Sequence, residues 1–375
     1  MEQRRKIRIF DTTLRDGEQS PGVSLTPNAK IEIAKKIDAI GVDTIEVGFP
    51  KVSEGETQAI KKITSLGIKA ELCALARANK EDIVAVKECG VETVHIFIAT
   101  SDLHLKNKLK ISREEALSRI STSVSYAKKL GLSVEFSAED ATRTEISYLT
   151  KAYLAAKTAG ADRINVPDTV GISTPDSISK LIKTIYGVVA LPISVHCHND
   201  FGLAISNTLA AIESGASCAH VTINGVGERS GNAALEEIVG ILGFLEPSNR
   251  YYTSVKTEKI YEISESVSQT YGMKIQPNKA IVGKNSFSHE SGIHTHGIIN
   301  NPLTYEPVHP RNFGRERSFI IGKHSGKHAI KLVLLENNVI IDDIKLEKVL
   351  KEVKSLCDSG TIVDIHKLIQ ISLKY

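Results

Sequence analysis

The residues best suited to hold a metal ion are His196 and His198, two apart in the segment VHCHND (195–200). On a strand, residues i and i+2 point to the same face, so both imidazoles can grip one cation. Asp16, just past an N-terminal strand-like run, offers a carboxylate, and Asn232 offers an amide oxygen. Two imidazoles with oxygen ligands and open positions suit a catalytic divalent ion: Zn²⁺ or Mn²⁺, with Mg²⁺ also compatible. An isolated HxH is more often a pair of hydrogen-bonded histidines. Here its place at a strand end, with an acid at the end of another strand, favours the metal.

Eight short β-rich runs carry these side chains: 7–13, 44–49, 69–76, 93–99, 133–140, 163–169, 192–200 and 219–227. Amphipathic helical patterns separate most of them, as in TPNAKIEIAKKIDAIG, where Thr26 is placed to cap and Gly41 to terminate. Alternating strands and helices argue for a parallel sheet, and eight such units for a closed (β/α)8 TIM barrel. No GxGxxG follows the first run, which argues against a dinucleotide-binding open sheet. Polar residues gather where these runs end. Arg15 and Asp16 follow the first; Ser137, Glu139 and Asp140 close the fifth; Asp168 and Thr169 close the sixth. The two histidines end the seventh, and Asn224, Glu228 and Arg229 the eighth. Barrel enzymes place their active sites at that face.

The chain has 375 residues, enough for a barrel of roughly 250 residues and a smaller unit. The barrel is assigned to 1–250. Residues 251–375 read as a largely helical C-terminal appendage, with helices near 255–272 and 343–357 around a polar, His- and Gly-rich stretch from Asn278 to Gly326. A net charge of +3, from 47 basic and 44 acidic residues, leaves no footprint for nucleic acid. Five cysteines without a CxxC pair argue against a disulfide framework and for a reducing, cytoplasmic setting. No stretch approaches the ~20 apolar residues of a membrane span, and the N-terminus has no signal-peptide core.

Four segments in order, DTTLRDGEQSPG (11–22), VHCHND (195–200), NGVGERSGN (224–232) and SGIHTHG (291–297), resemble the 2-isopropylmalate synthase and homocitrate synthase family. GVDTIEVGFP, LCALAR, RINVPDTVG and PNKAIVG are most similar to the 2-isopropylmalate synthase branch. The resemblance covers essentially the whole chain. It implies a metal-dependent barrel that condenses acetyl-CoA with a 2-oxo acid. It implies metal ligation by Asp16, His196, His198 and Asn232. It implies that Arg15 holds substrate oxygens and steadies enolate charge, that Thr169 binds the 2-oxo acid carboxylate, and that His95 and Ser137 line the side-chain pocket. Glu139 falls in the substrate-pocket segment. His294 and Tyr305 match residues of proton transfer, supplied by the partner subunit of a swapped homodimer. Drawing the acetyl methyl proton needs a positioned base, and His294 with Glu139 is the expected pair.

Members regulated by leucine carry a further C-terminal domain of ~120 residues, the size of a small domain. With the chain stopping at Tyr375, that regulatory domain is expected to be absent. The neighbours of the distal pocket, in ALARAN and VHIFIATS, are mostly apolar and favour 2-oxoisovalerate. A methylene more or less is worth only ~1–3 kcal/mol in such a pocket, so pyruvate (citramalate synthase) and 2-oxoglutarate (homocitrate synthase) stay open. A metal-dependent aldolase-type lyase and a non-catalytic binding protein are the outside classes. The lyase leaves the His-rich appendage unexplained, and a binding protein does not explain the crowd of acid–base groups.

Overall fold

The computed structural model describes residues 4–375, and the chain forms two compact units, Met1–Lys274 and Ile275–Tyr375. In the first, eight parallel strands close into a barrel: β1 (Arg8–Asp11), β2 (Thr44–Glu46), β3 (Glu71–Arg77), β4 (Thr93–Ala99), β5 (Ser133–Glu139), β6 (Arg163–Asp168), β7 (Ile193–Cys197) and β8 (Cys218–Val221). Closure is the pairing of β1 with β8, from Arg8 opposite Cys218 to Asp11 opposite Val221. Helices follow the strands. α1 (Pro27–Ile40) starts as its sequence requires: the Thr26 hydroxyl accepts the Ala29 N–H, Pro27 takes the first turn, and Gly41 closes the helix at φ 83°.

Successive side chains of a strand face opposite ways, and here the alternation runs apolar outward and polar inward. Ile9, Ile45, Val94, Ile96, Val134, Phe136, Ile164, Val166 and Val195 are fully or almost fully buried. Their alternates, Arg8, Thr44, Glu71, Thr93, Glu135 and Arg163, meet one another inside the barrel. Barrel interiors are usually filled by branched aliphatic side chains; this one carries an ion cluster at its N-terminal end. Glu71 accepts from Arg8 (2.6 Å), Thr44 (2.8 Å), Thr93 (2.6 Å) and Arg163 (2.9 Å). Arg163 also pairs with Glu135, which meets His220 Nε2 at 2.7 Å. Phe10 stacks on His220 with ring centroids 3.9 Å apart and, with Cys73 and Cys218, forms a small apolar layer above the ions.

The sequence places the end of the barrel at residue 250, but the compact unit runs on to Lys274. A helix, Ile260–Tyr271, fastens to the barrel: the Tyr271 hydroxyl donates to the Thr13 carbonyl (2.7 Å), and Asn224 Nδ2 to the Ser264 carbonyl (2.9 Å). The second unit is mainly helical, with Gly292–Asn300, Lys327–Glu336, Asp343–Asp358 and Ile365–Ser372. Its core includes Ile330, Leu334, Leu346, Val349, Val353 and Leu368. The first of these helices falls inside the stretch read from sequence as merely polar. Among the described residues no helix is long and apolar enough to cross a membrane.

Replacing Arg163 by Met leaves Glu135, which is fully buried, without its cation, and should cost about 3–5 kcal/mol in denaturant unfolding; an unchanged midpoint would show that the ion cluster is not structural. Asp11 ends β1 fully buried, and burial pushes its carboxyl from the ordinary 3.8 up to about 7, against the two hydrogen bonds it accepts from Thr13. An acid raised in the folded state favours folding at low pH and withdraws that support as pH rises through its folded pKa. Asp11→Asn should therefore gain on the parent, by on the order of a few kcal/mol, as pH climbs from about 4 to about 7. A constant difference across that range would remove Asp11 as its source.

Candidate active site

The loop after β1 is folded by its own threonines. Thr12 Oγ1 accepts the Asp16 N–H (3.3 Å) while donating to Glu46 at the end of β2 (2.6 Å). Ser20 Oγ accepts the Gly227 N–H (2.8 Å), tying this loop to the one after β8. The result is a fixed side-chain order at the barrel mouth. Arg15 lies between two carboxylates, Nε on Glu46 (2.6 Å) and Nη1 on Asp16 (2.6 Å). Burial alone would lower the guanidinium pKa, but Glu46 and Asp16 outweigh it and raise it. Burial alone would likewise raise the acids; the Arg15 guanidinium between them outweighs it, and both are held well below the usual carboxylate range.

His196 ends β7 with Cys197, and His198 follows, held by a bridge to Asn232. Both imidazoles turn to Asp16: their Nε2 atoms lie 3.2 Å apart, and 3.6 and 3.9 Å from Asp16 Oδ2. Burial lowers the pKa of both histidines and keeps them neutral, the form that ligates a metal. Asn232 Nδ2 donates to Asp16 Oδ1 (2.8 Å) and to the Val226 carbonyl (3.0 Å), while its Oδ1 is buried without a hydrogen-bond partner. A Cβ on residue 227 would come within 2.1 Å of that amide and 2.7 Å of Asp16, so the cradle requires Gly227. Asp16, His196 and His198 each offer one ligand atom within 4.8 Å of the others, and the donor set fits a divalent cation.

A second chain of contacts starts from Glu46. As a carboxylate it accepts His95 Nδ1–H (2.6 Å); Nε2 then accepts from Ser137 Oγ (2.7 Å), which accepts from Asn165 Nδ2 (2.7 Å). The tautomer of His95 follows from the donors available. β5 ends in an unusual turn. Asp140 adopts a left-handed conformation (φ 63°, ψ 37°), costing a non-glycine residue about 1–2 kcal/mol. It is pinned by Ser101 (2.5 Å), by Arg143 Nε (2.8 Å), and by its own N–H donated to Thr169 Oγ1 (2.9 Å). Glu139, the residue before it, meets Lys108 Nζ at 2.5 Å.

Arg15, Asp16, His95, Ser137, Glu139, Thr169, His196 and His198 all line one cavity of about 450 Å³, whose apolar wall is Phe49, Leu75, Phe97 and Pro167. Asn232 stands behind Asp16. His294 and Tyr305 belong to the second unit, where their rings stack with centroids 4.0 Å apart. Glu46, Asn165 and Lys108 escape a reading of strand-end residues. The clue to Glu46 was a lone acid inside the otherwise apolar run TIEVGF.

Residues 6–267 match the HMGL-like family model, and residues 281–361 match the homocitrate synthase post-HMGL domain-like model. The 2-isopropylmalate synthase of Methanocaldococcus jannaschii is 53% identical over 97% of this chain and 71% of its own length. That of Sulfurisphaera tokodaii is 51% identical over 99% of this chain and 96% of its own. An (R)-citramalate synthase of M. jannaschii, 49% identical, and a homocitrate synthase of Methanopyrus kandleri, 48% identical, match almost as well over 97% and 98% of this chain, and 74% and 91% of their own lengths. Among solved structures, an HMG-CoA lyase of Bacillus subtilis shares the barrel, with a TM-score of 0.66 over 73% of this chain and 97% of that one at 21% identity. With both family models and these near-full-length relatives in agreement, the chain belongs to the 2-isopropylmalate synthase and homocitrate synthase family of acyltransferases.

Proposed function

We propose that the protein condenses acetyl-CoA with 2-oxoisovalerate and water, releasing 2-isopropylmalate and CoA, the step that commits carbon to leucine. The observation that carries the choice of acceptor is the wall of Phe49, Leu75, Phe97 and Pro167 together with the state of the cations beside it. A dicarboxylate acceptor needs a cation to spare at its distal end. The lysine and arginines lining the cavity are Arg15, Lys108 and Arg229, and each is already paired, with Glu46 and Asp16, with Glu139, and with Asp200. A branched aliphatic acceptor leaves those pairs intact.

In this reading Asp16, His196, His198 and Asn232 hold a divalent ion, Mn²⁺, Zn²⁺ or Mg²⁺. Bound there, such an ion supplies Lewis acidity to the oxygens of the 2-oxo acid. Arg15, fixed on two sides, places positive charge where negative charge develops and needs no reorganisation to do so. Thr169 receives the carboxylate of the acceptor, and His95 and Ser137 shape the pocket for its side chain. Glu139 and His294, with Tyr305, move the proton from the acetyl methyl group. We assign His294 and Tyr305 to a second copy of the chain in a swapped homodimer. The support is local: Tyr305 is 43% exposed, and Ile293 and Leu303 beside the pair are each 77% exposed, apolar surface of the kind that interfaces cover. The five cysteines are free, which suits a reducing cytoplasm.

Thiol release from acetyl-CoA should be measured with a divalent ion across 2-oxoisovalerate, pyruvate and 2-oxoglutarate. The reading expects 2-oxoisovalerate to give the highest kcat/KM. Preference for pyruvate or 2-oxoglutarate would reassign the acceptor within the family, and no thiol release with any acceptor would overturn the condensation itself.

A further inference from the structure

The segment between β4 and the next long helix contains one turn that no barrel connection requires. Residues Asp102–His104 are α-helical, Leu105–Leu109 form a π-turn, and Lys110 ends it in a left-handed conformation (φ 55°). Single π-turns are rare and gather at functional sites. Lys108, on this turn, lines the cavity and meets Glu139 Oε1 at 2.5 Å. His104, one turn earlier, points the same way: its buried Nδ1 makes no hydrogen bond and lies 3.4 Å from the same oxygen, while its Nε2 lies 3.8 Å from Asp140. The segment is anchored beneath by Ser101, whose hydroxyl donates to Asp140. The strained turn at Asp140 and the π-turn at Lys108 therefore converge on one carboxylate, from its own strand and from the neighbouring one.

We propose that Lys108 is a positioning residue for Glu139, holding its carboxylate in one orientation at the cavity wall, with His104 and the Asp140 turn fixing the segment that carries the lysine. The inference rests on the condensation reading above. It assigns Lys108 no contact with the 2-oxo acid. The side chain of Lys108 is 51% exposed and that of Glu139 16%, so the lysine reaches in from solvent to a group that is largely enclosed. A point charge with free stem rotation suffices for this task, and a guanidinium of similar reach can replace it.

The test is a double-mutant cycle on the full-length enzyme with acetyl-CoA and its best 2-oxo acid. Lys108→Met should lower kcat by about tenfold to a hundredfold, leave KM for the 2-oxo acid within about threefold, and keep the thermal midpoint of the parent. Lys108→Arg should restore most of the lost turnover. In a Glu139→Gln background, Lys108→Met should cost nothing further, because the lysine acts through that carboxylate. Unchanged kcat in Lys108→Met would overturn the proposal, as would a rise in KM alone, which would make Lys108 a substrate contact. Full additivity with Glu139→Gln would also overturn it. If the parent releases no thiol with any acceptor, it is the condensation reading that fails. Loss in Lys108→Met of a structure that Lys108→Arg retains would be read from the thermal midpoints, and the Arg variant alone then decides through its kcat.

Discussion

Arg15 stands between Glu46 and Asp16, and the mouth of the barrel is arranged around that contact. Two carboxylates and one guanidinium in a buried site leave one negative charge unanswered. The histidines beside Asp16 do not answer it, because burial keeps them neutral. Such an excess is costly unless something positive joins it. A divalent cation would do so, and the converging Nε2 atoms with the unpartnered Asn232 oxygen mark where it would fit. Glu46 has a second duty. By accepting from His95 it sets that ring's tautomer and, through Ser137 and Asn165, joins the strands β2, β4, β5 and β6 at one level.

The polar interior below has a related logic. The ion cluster of Glu71, Arg8, Arg163 and Glu135 closes the N-terminal end of the barrel, and the stacked pair Phe10 and His220 separates it from the mouth. Two acids face two guanidinium groups in this cluster, so its charge balances, and the apolar faces of the strands are left to the helices. The mouth accepts left-handed backbone at Asp140, Asn224 and Arg229, and Asp140 is held there by Ser101, Arg143 and Thr169.

The barrel was legible because its period is regular: eight strand runs, helices with polar caps such as Thr26, and glycines such as Gly41 at helix ends. The seventh strand's histidines and Asp16 were legible for the same reason, since strand parity and chain order fix their faces. The interior ions were not, because Glu71, Glu135 and Arg163 look like exposed charges until barrel closure turns them inward. Lys108 lay hidden for another reason: nothing in KNKLK signals a π-turn, and only the turn brings its amine to Glu139. The helix at Gly292–Asn300 was missed because it carries no apolar stripe: Ile293 and Ile299 are exposed, and only Thr295 and Ile298 are buried.

The central claim is that Asp16, His196 and His198 complete their charge with one cation. Calorimetric titration of metal-stripped protein with Mn²⁺ tests it without any assay of turnover. One ion should bind per chain, with binding weakened at least tenfold in His196→Asn and Asp16→Asn. No stoichiometric binding, or binding unchanged in both variants, would contradict it.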